Sequence, residues 1–253
     1  MELKALGCHS SRFPGNHLCS FLINGSFVLD AGGIVSTLTL DEQIKIKHIL
    51  ITHSHLDHVK DIAFIADNIR HRGGAVDIIS IKAVLNLISA HLLNNKLWPD
   101  FTKIPDPASP VLKYHPIPLN SPVEIDGLTI RAVKVNHVVP TVAYFVSDEK
   151  ATVLFTSDMG PSYEIWEEAN RVENLKAVFI DVTFPNAMQN IADLSKHLTP
   201  QKLKEELKKL KSSAAVYAYH IKAQHEKEIV KEMAKCCPAV RAVNEGEVMI
   251  ISG

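Results

Sequence analysis

The 253-residue sequence reads as an α/β protein, two packed sheets with helices on their outer faces. Three features predict this. The elements run strands, helices, strands, helices, and two halves meet near residue 120 with no low-complexity linker between them. Apolar runs of strand length, such as Ile49-Leu50-Ile51 and Val153-Leu154-Phe155, alternate with stretches of helical spacing. Several of those runs end in a side chain of the kind that binds metal. One domain over residues 1–253 is the expected organisation, at a length a single domain can fill.

In chain order, strands are expected at 3–8, 17–24 and 26–30, separated by Gly and Asn turns. A short helix is expected at 39–46 and a buried strand at 47–52. Val59, Ile62, Ala63, Ile65, Ala66 and Ile69 have helical spacing, and Gly73 with Gly74 should stop that helix. A strand at 76–79 and a helix at 81–94 follow. Residues 95–122 carry seven prolines and read as one long irregular region. Trp98 and Phe101 are too apolar for a linker, and a lid or rim over the site is expected there. Strands resume at 123–135, 141–147 and 151–156. A helix at 162–170 should be capped by Ser162. A strand at 176–181 ends at Asp181. The helix at 199–211 opens on Thr199-Pro200, a cap followed by proline at the first helical position. A strand at 214–219, a helix at 224–236 and a hairpin over 239–252 close the chain.

The composition is that of an ordinary globular protein, 46% hydrophobic and 22% charged, with net charge -1. This argues against a large basic face built for long nucleic acid. Cys8, Cys19, Cys236 and Cys237 form no Cys-x-x-Cys pair and read as reduced thiols. No apolar run is long enough to span a membrane, and the start lacks a signal-peptide pattern, so a cytoplasmic protein is expected. A homodimer is left open by the sequence.

The functional signal is strongest at Ile51-Thr52-His53-Ser54-His55-Leu56-Asp57-His58, three imidazoles and a carboxylate directly after a buried strand. Imidazole and carboxylate are ligands for zinc and other transition metals. Neutral imidazoles two residues apart can point the same way, and Asp57 with His58 can reach a second ion beside the first. The same form, an apolar strand and then a ligand, recurs at His137, Asp158 and His220. His9, His17, His48, His71, His91, His115 and His225 sit in no such pattern and read as structural or surface residues.

These motifs resemble the metallo-β-lactamase superfamily, whose αββα sandwich carries a two-metal site at one edge. The resemblance implies that His53, His55 and His137 hold the first metal. It implies that Asp57, His58 and His220 hold the second, with Asp158 between them. Gly7-Cys8, Ser20-Phe21-Leu22-Ile23, Trp98-Pro99-Asp100-Phe101, Ser157-Asp158-Met159-Gly160-Pro161 and Ser195-Lys196-His197-Leu198-Thr199-Pro200 further resemble the class II cyclic nucleotide phosphodiesterases. The chain departs from that family at Met159 and Ser162, where Thr is usual, at Asp181, where Glu is usual, and at His9-Ser10-Ser11-Arg12, where a Gly-rich turn is usual.

The implied activity is hydrolysis of 3′,5′-cyclic nucleotides to 5′-nucleotides. Two divalent ions about 3.5–4 Å apart clamp a phosphodiester and acidify a water. A near-neutral protein can thereby take a small anionic substrate. Zinc leads among the metals, and manganese and iron accept the same ligand types. The expected catalytic residues are Asp57, His197 as general acid and Asp181 as the carboxylate that orients it. Trp98 and Phe101 are expected to stack on a base. The alternatives are an RNA or oligonucleotide phosphodiesterase like the tRNA 3′-end endonucleases, and a lactonase or thioesterase on the same fold. The full ligand set argues against a non-enzymatic metal-binding module, which has no need of two ions.

Overall fold

A computed structural model describes residues 1–71 and 74–252. The first sheet begins with three antiparallel strands, β1 (Glu2–Gly7), β2 (Ser20–Ile23) and β3 (Phe27–Leu29). Two short helices follow, α1 (Ile34–Thr37) and α2 (Leu40–Gln43), the second held by a capping box between Thr39 and Glu42. Then come β4 (His48–Leu50), α3 (Leu56–Ile69), β5 (Val76–Ser80), α4 (Lys82–His91) and β6 (Leu112–Pro116). β3, β4, β5 and β6 pair in parallel, so each connection must cross over the sheet, and the helices supply those crossovers.

The second sheet repeats that order. β7 (Pro122–Ile125), β8 (Leu128–Lys134), β9 (Val142–Ser147) and β10 (Thr152–Phe155) are antiparallel. The parallel part follows: α5 (Glu164–Ala169), β11 (Leu175–Asp181), α6 (Gln189–Ser195), α7 (Pro200–Leu207), β12 (Ala215–Tyr219), α8 (Glu226–Cys236) and β13 (Arg241–Ala242). The last strand, β14 (Val248–Ile250), returns to pair with β1 in the first sheet. The result is two seven-stranded mixed sheets, β14-β1-β2-β3-β4-β5-β6 and β13-β12-β11-β10-β9-β8-β7. The αββα sandwich expected from the sequence is the observed architecture.

The core between the sheets is anchored by aromatic rings. Phe21 of the first sheet lies 5.4 Å from Phe155, 5.2 Å from Phe179 and 5.5 Å from Tyr219 of the second, centroid to centroid. All four are buried, and burying a Phe side chain contributes roughly 1.5–3 kcal/mol. Each sheet has a second core on its outer face. Ile62, Ile65 and Ile69 of α3 pack with Ile49, Ile51 and Ile78 on one side, and Trp166 and Ile229 pack with Val178 and Ile180 on the other. The helical spacing read from Val59 to Ile69 is thus the face α3 presents to the sheet. Arg72 and Gly73, expected at its end, lie outside the described residues.

Four expectations are corrected. Residues 95–122 are not a lid throughout: Leu112–Pro116 extends the first sheet by pairing with β5, and Phe101, Val111 and Leu112 are buried in its outer core. The expected hairpin over 239–252 does not form, because β13 pairs with β12 and β14 with β1 in the other sheet. Ser162 does not cap α5, whose cap position is Tyr163; its amide donates instead to Glu206 of α7. α1 and α6 occupy stretches with no predicted element. Thr199 does cap α7, accepting from the Lys202 amide, with Pro200 at the helix start.

The strand directions decide where chemistry can gather. β8, β10, β11 and β12 all run the same way, since β9 is antiparallel to both β8 and β10. Their carboxyl ends therefore share one edge, which carries His137, Asp158, Asp181 and His220. Ligands in α/β sheets bind at this end of the strands.

Candidate metal centre

The first sheet delivers its donors through the loop after β4. His55 is the N-cap of α3, so Asp57 and His58 lie in its first turn. A carboxylate there is favoured by the helix dipole. The turn after β3 lies under this loop: the Ala31 amide donates to the His58 carbonyl at 2.6 Å, and the Asp61 amide donates to Ala31 at 2.8 Å. A Cβ on Gly32 would come within 2.2 Å of the Asp57 carbonyl oxygen, so only glycine permits this approach.

Donor atoms from both sheets then converge. His53, His55, His137 and Asp158 place one ligand atom each within 4.8 Å of one another, and Asp57, His58 and His220 form a second such group. Asp158 Oδ2 lies 3.5 Å from His53 Nε2, 3.4 Å from His58 Nε2 and 3.3 Å from His220 Nε2, between the two groups. Asp57 Oδ2 is 3.4 Å from His220 Nε2. All seven sequence-predicted ligands are brought together.

The surrounding hydrogen bonds turn the imidazoles inward. His58 Nδ1 donates to Asp30 Oδ2 at 2.7 Å. Thr52 Oγ1 donates to Asp30 and accepts from His53 Nδ1 at 3.0 Å. His137 Nδ1 donates to the Lys196 carbonyl at 3.2 Å, and His220 Nδ1 donates to Thr183 Oγ1 at 2.8 Å. In each case Nδ1 is used, which leaves Nε2 as the free ligand atom. His53 Nε2 and Asp158 Oδ1 are buried without a hydrogen-bond partner, and His58 Nε2 faces His220 Nε2 at 3.1 Å. A buried imidazole nitrogen without a partner, and two more that face each other beside carboxylates, form a donor set that fits a divalent cation.

The proton affinities divide the set. Burial and the neighbouring His58 hold His53 well below the usual imidazole range; burial likewise lowers His55, and takes His137 down to about 4. Burial opposes charge on His58 and His220 too, but carboxylates outweigh it. Asp158, Asp30 and Asp57 raise His58 well above its ordinary value, and Asp158, Asp181 and Asp57 raise His220 to about 9. Asp158 and Asp57 are correspondingly lowered against their burial, Asp158 chiefly by His220 and His58, and Asp57 by the same two.

His197 and Asp181 stand beside this set. Asp181, fully buried, accepts from His197 Nδ1 at 2.8 Å. The His197 ring stacks on His220 at 5.3 Å and meets His137 edge-on at 5.1 Å. Among the described residues, the non-glycine residues with positive φ that are not Asn or Asp are Ser157, Lys196 and His220, all in the turns that carry Asp158, His197 and His220. Strained backbone of this kind clusters at functional sites.

Asp30, Thr52 and Thr183 were missed by sequence reasoning. Only Asp30 left a signal, in Leu29-Asp30-Ala31-Gly32-Gly33 at a strand end. The expectation for Phe101 is corrected. Phe101 is 4% exposed in the outer core and cannot stack on a ligand, and Trp98 is half-buried against Phe64 of α3 at 5.4 Å. The cavity beside the metal loop is lined instead by Ser54, Leu56, Val59, Ile88, Leu92 and Leu97. Cys8, His9 and Glu245 also converge, but His9 donates to Glu245 at 2.6 Å and Cys8 to the Val243 carbonyl, so each is satisfied within the protein. All four cysteines are free thiols.

An αββα sandwich with His and Asp donors from both sheets at one edge defines the class of metallo-β-lactamase-fold hydrolases. The chain belongs to the beta-lactamase superfamily domain family, whose model matches residues 21–221. Among solved structures it is similar to unliganded yeast PDE1 (TM-score 0.83, 16% identity, 98% of each chain). It is also similar to the metallo-beta-lactamase fold protein YhfI from Bacillus subtilis (TM-score 0.78, 16% identity, 98% of this chain and 99% of that one). The short form of human tRNase Z matches over 100% of both chains at TM-score 0.72 and 13% identity. No curated protein sequence matches the chain. Among the described residues, no helix is long and apolar enough to cross a membrane.

Proposed function

We propose that this protein is a two-metal phosphodiesterase that opens 3′,5′-cyclic nucleotides to 5′-nucleotides. The observation that carries the reading is the His197–Asp181 pair directly beside the donor set. Two divalent ions, zinc first among them and manganese or iron after it, would supply charge to offset the phosphodiester and acidity to ionise a water near neutral pH. His53, His55 and His137 would hold one, Asp57, His58 and His220 the other, with Asp158 shared.

The chain's own residues account for the rest. A ribose alkoxide is a poor leaving group and gains from a proton in the transition state. His197 is turned by Asp181 so that Nδ1 is occupied and Nε2 is left to hold that proton. Asp181 is lowered against its burial by the His197 charge and hydrogen bond, so it remains an acceptor. The net charge of -1 supports a small anionic substrate over long nucleic acid. The similarity to a yeast PDE1 and the Trp98-Pro99-Asp100-Phe101 and Lys196-His197-Leu198-Thr199-Pro200 motifs favour a cyclic mononucleotide.

The reading is tested by leaving group. His197→Ala should lower hydrolysis of cyclic AMP and cyclic GMP by about 10²–10⁴-fold and largely spare a nitrophenyl phosphodiester, whose leaving group needs no proton. Equal loss on both substrates would remove His197 from the acid role. Cleavage of RNA 3′ ends or of lactones by the wild type, with cyclic nucleotides untouched, would replace the substrate class.

A further inference from the structure

Thr183 lies two residues beyond the end of β11 and is 1% exposed. Its Oγ1 is 2.5 Å from Asp181 Oδ1, 2.8 Å from His220 Nδ1 and 3.2 Å from His197 Nδ1. A hydroxyl has one hydrogen to give. Asp181, as a carboxylate, and the His220 carbonyl, at 3.1 Å, can only accept, and the hydrogen goes to the much closer Asp181. The lone pairs of Thr183 must then accept, and His220 supplies the Nδ1–H. This fixes His220 in the form whose Nε2 faces Asp158 and Asp57, at 3.3 and 3.4 Å. The other Asp181 oxygen takes the His197 Nδ1–H at 2.8 Å. One carboxylate therefore orients two imidazoles, His197 directly and His220 through one hydroxyl.

We propose that Thr183 is a positioning residue of the second metal position, whose hydroxyl sets the tautomer and tilt of His220 while Asp181 sets those of His197. Valine has the same shape and no hydroxyl, and would leave His220 Nδ1 and Asp181 Oδ1 buried without that partner. Outer partners of metal-bound imidazoles typically change affinity by 10–100-fold when removed. The assignment rests on the two-metal reading above, but its test needs no substrate.

Thr183→Val and Thr183→Ser are compared with wild type in the full chain. Stepwise zinc affinity is read by competition with a chromophoric chelator, and imidazole nitrogen resonances are read by NMR in the metal-free protein. Thr183→Val should weaken the second zinc step about 10–100-fold, leave the first step unchanged and shift the His220 Nδ1 resonance. Thr183→Ser should restore both readouts. A wild-type second step in Thr183→Val overturns the assignment. Thr183→Ser behaving like Thr183→Val does so too, because shape and not the hydroxyl would then be at work. If Thr183→Val does not fold, Asp181→Asn, which keeps the size of the carboxylate, must weaken the second step selectively or the assignment falls. Failure of the wild type on cyclic nucleotides would overturn the substrate reading alone, whereas a single zinc step in the wild type would overturn the second position itself.

Discussion

The two donor groups proposed as metal positions are built from the same residue types and differ in proton affinity. His53, His55 and His137 are kept neutral by burial, so the first position presents bare lone pairs. At the second, three carboxylates surround His58 and hold a proton on it, and His220 is raised to about 9. The cause is placement: Asp30 lies 2.7 Å from His58, and Asp57 lies 3.4 Å from His220, while the first group shares only Asp158. An ion entering the first position would meet a ready cage. One entering the second must displace protons. Similar ligand sets can therefore differ in affinity and in pH response.

The strongest test of that contrast removes what the positions share. Asp158→Ala should empty both and lower hydrolysis by roughly 10³-fold or more, the size of a lost term of several kcal/mol. One ion retained per chain by elemental mass spectrometry would break the shared-ligand geometry. A narrower test separates them. At pH 7 and a fixed free zinc concentration, His220→Ala should keep the first ion, whereas His55→Ala should lose it and leave only the position that competes with protons. Equal metal content in the two variants would erase the distinction. The mildest test uses pH alone. Below about 9 His220 carries a proton that metal must displace, and His58 is raised as well, so affinity at the second position should fall by about ten- to a hundredfold for each unit that pH is lowered, for one or two displaced protons. The first position should stay nearly flat until pH approaches the His137 value of about 4. Titrations at pH 6, 7 and 8 in which both steps move together would refute the contrast.

The parts of this centre that the sequence revealed are those written at strand ends. An apolar run followed by His or Asp is a local pattern, and it brought out His137, Asp158, Asp181 and His220, as the loop after β4 brought out His53, His55, Asp57 and His58; His197, between α6 and α7, came only from the family motif that contains it. Asp30 and Thr183 were missed because their work is done across the fold: Asp30 reaches His58 over 28 positions and Thr183 reaches His220 over 37, and only the Gly pair after Asp30 gave a local hint. The prolines of 95–122 suggested irregular chain, yet β6 forms among them because Leu112 and its neighbours pair with β5 at the sheet edge. Residues 239–252 read as a closing hairpin. Turn chemistry says that the chain reverses and not which sheet receives the next strand, and here β13 and β14 part to different sheets.

The donors span residue 53 to residue 220 and are drawn from both sheets. A chain in which only the first sheet had formed would own His53, His55, Asp57 and His58 but lack the shared carboxylate and both imidazoles that close the cages. If the centre holds metal as proposed, full coordination would report that the two halves have docked in register. Ions held by donors from both sheets would also pin the two halves together at that edge.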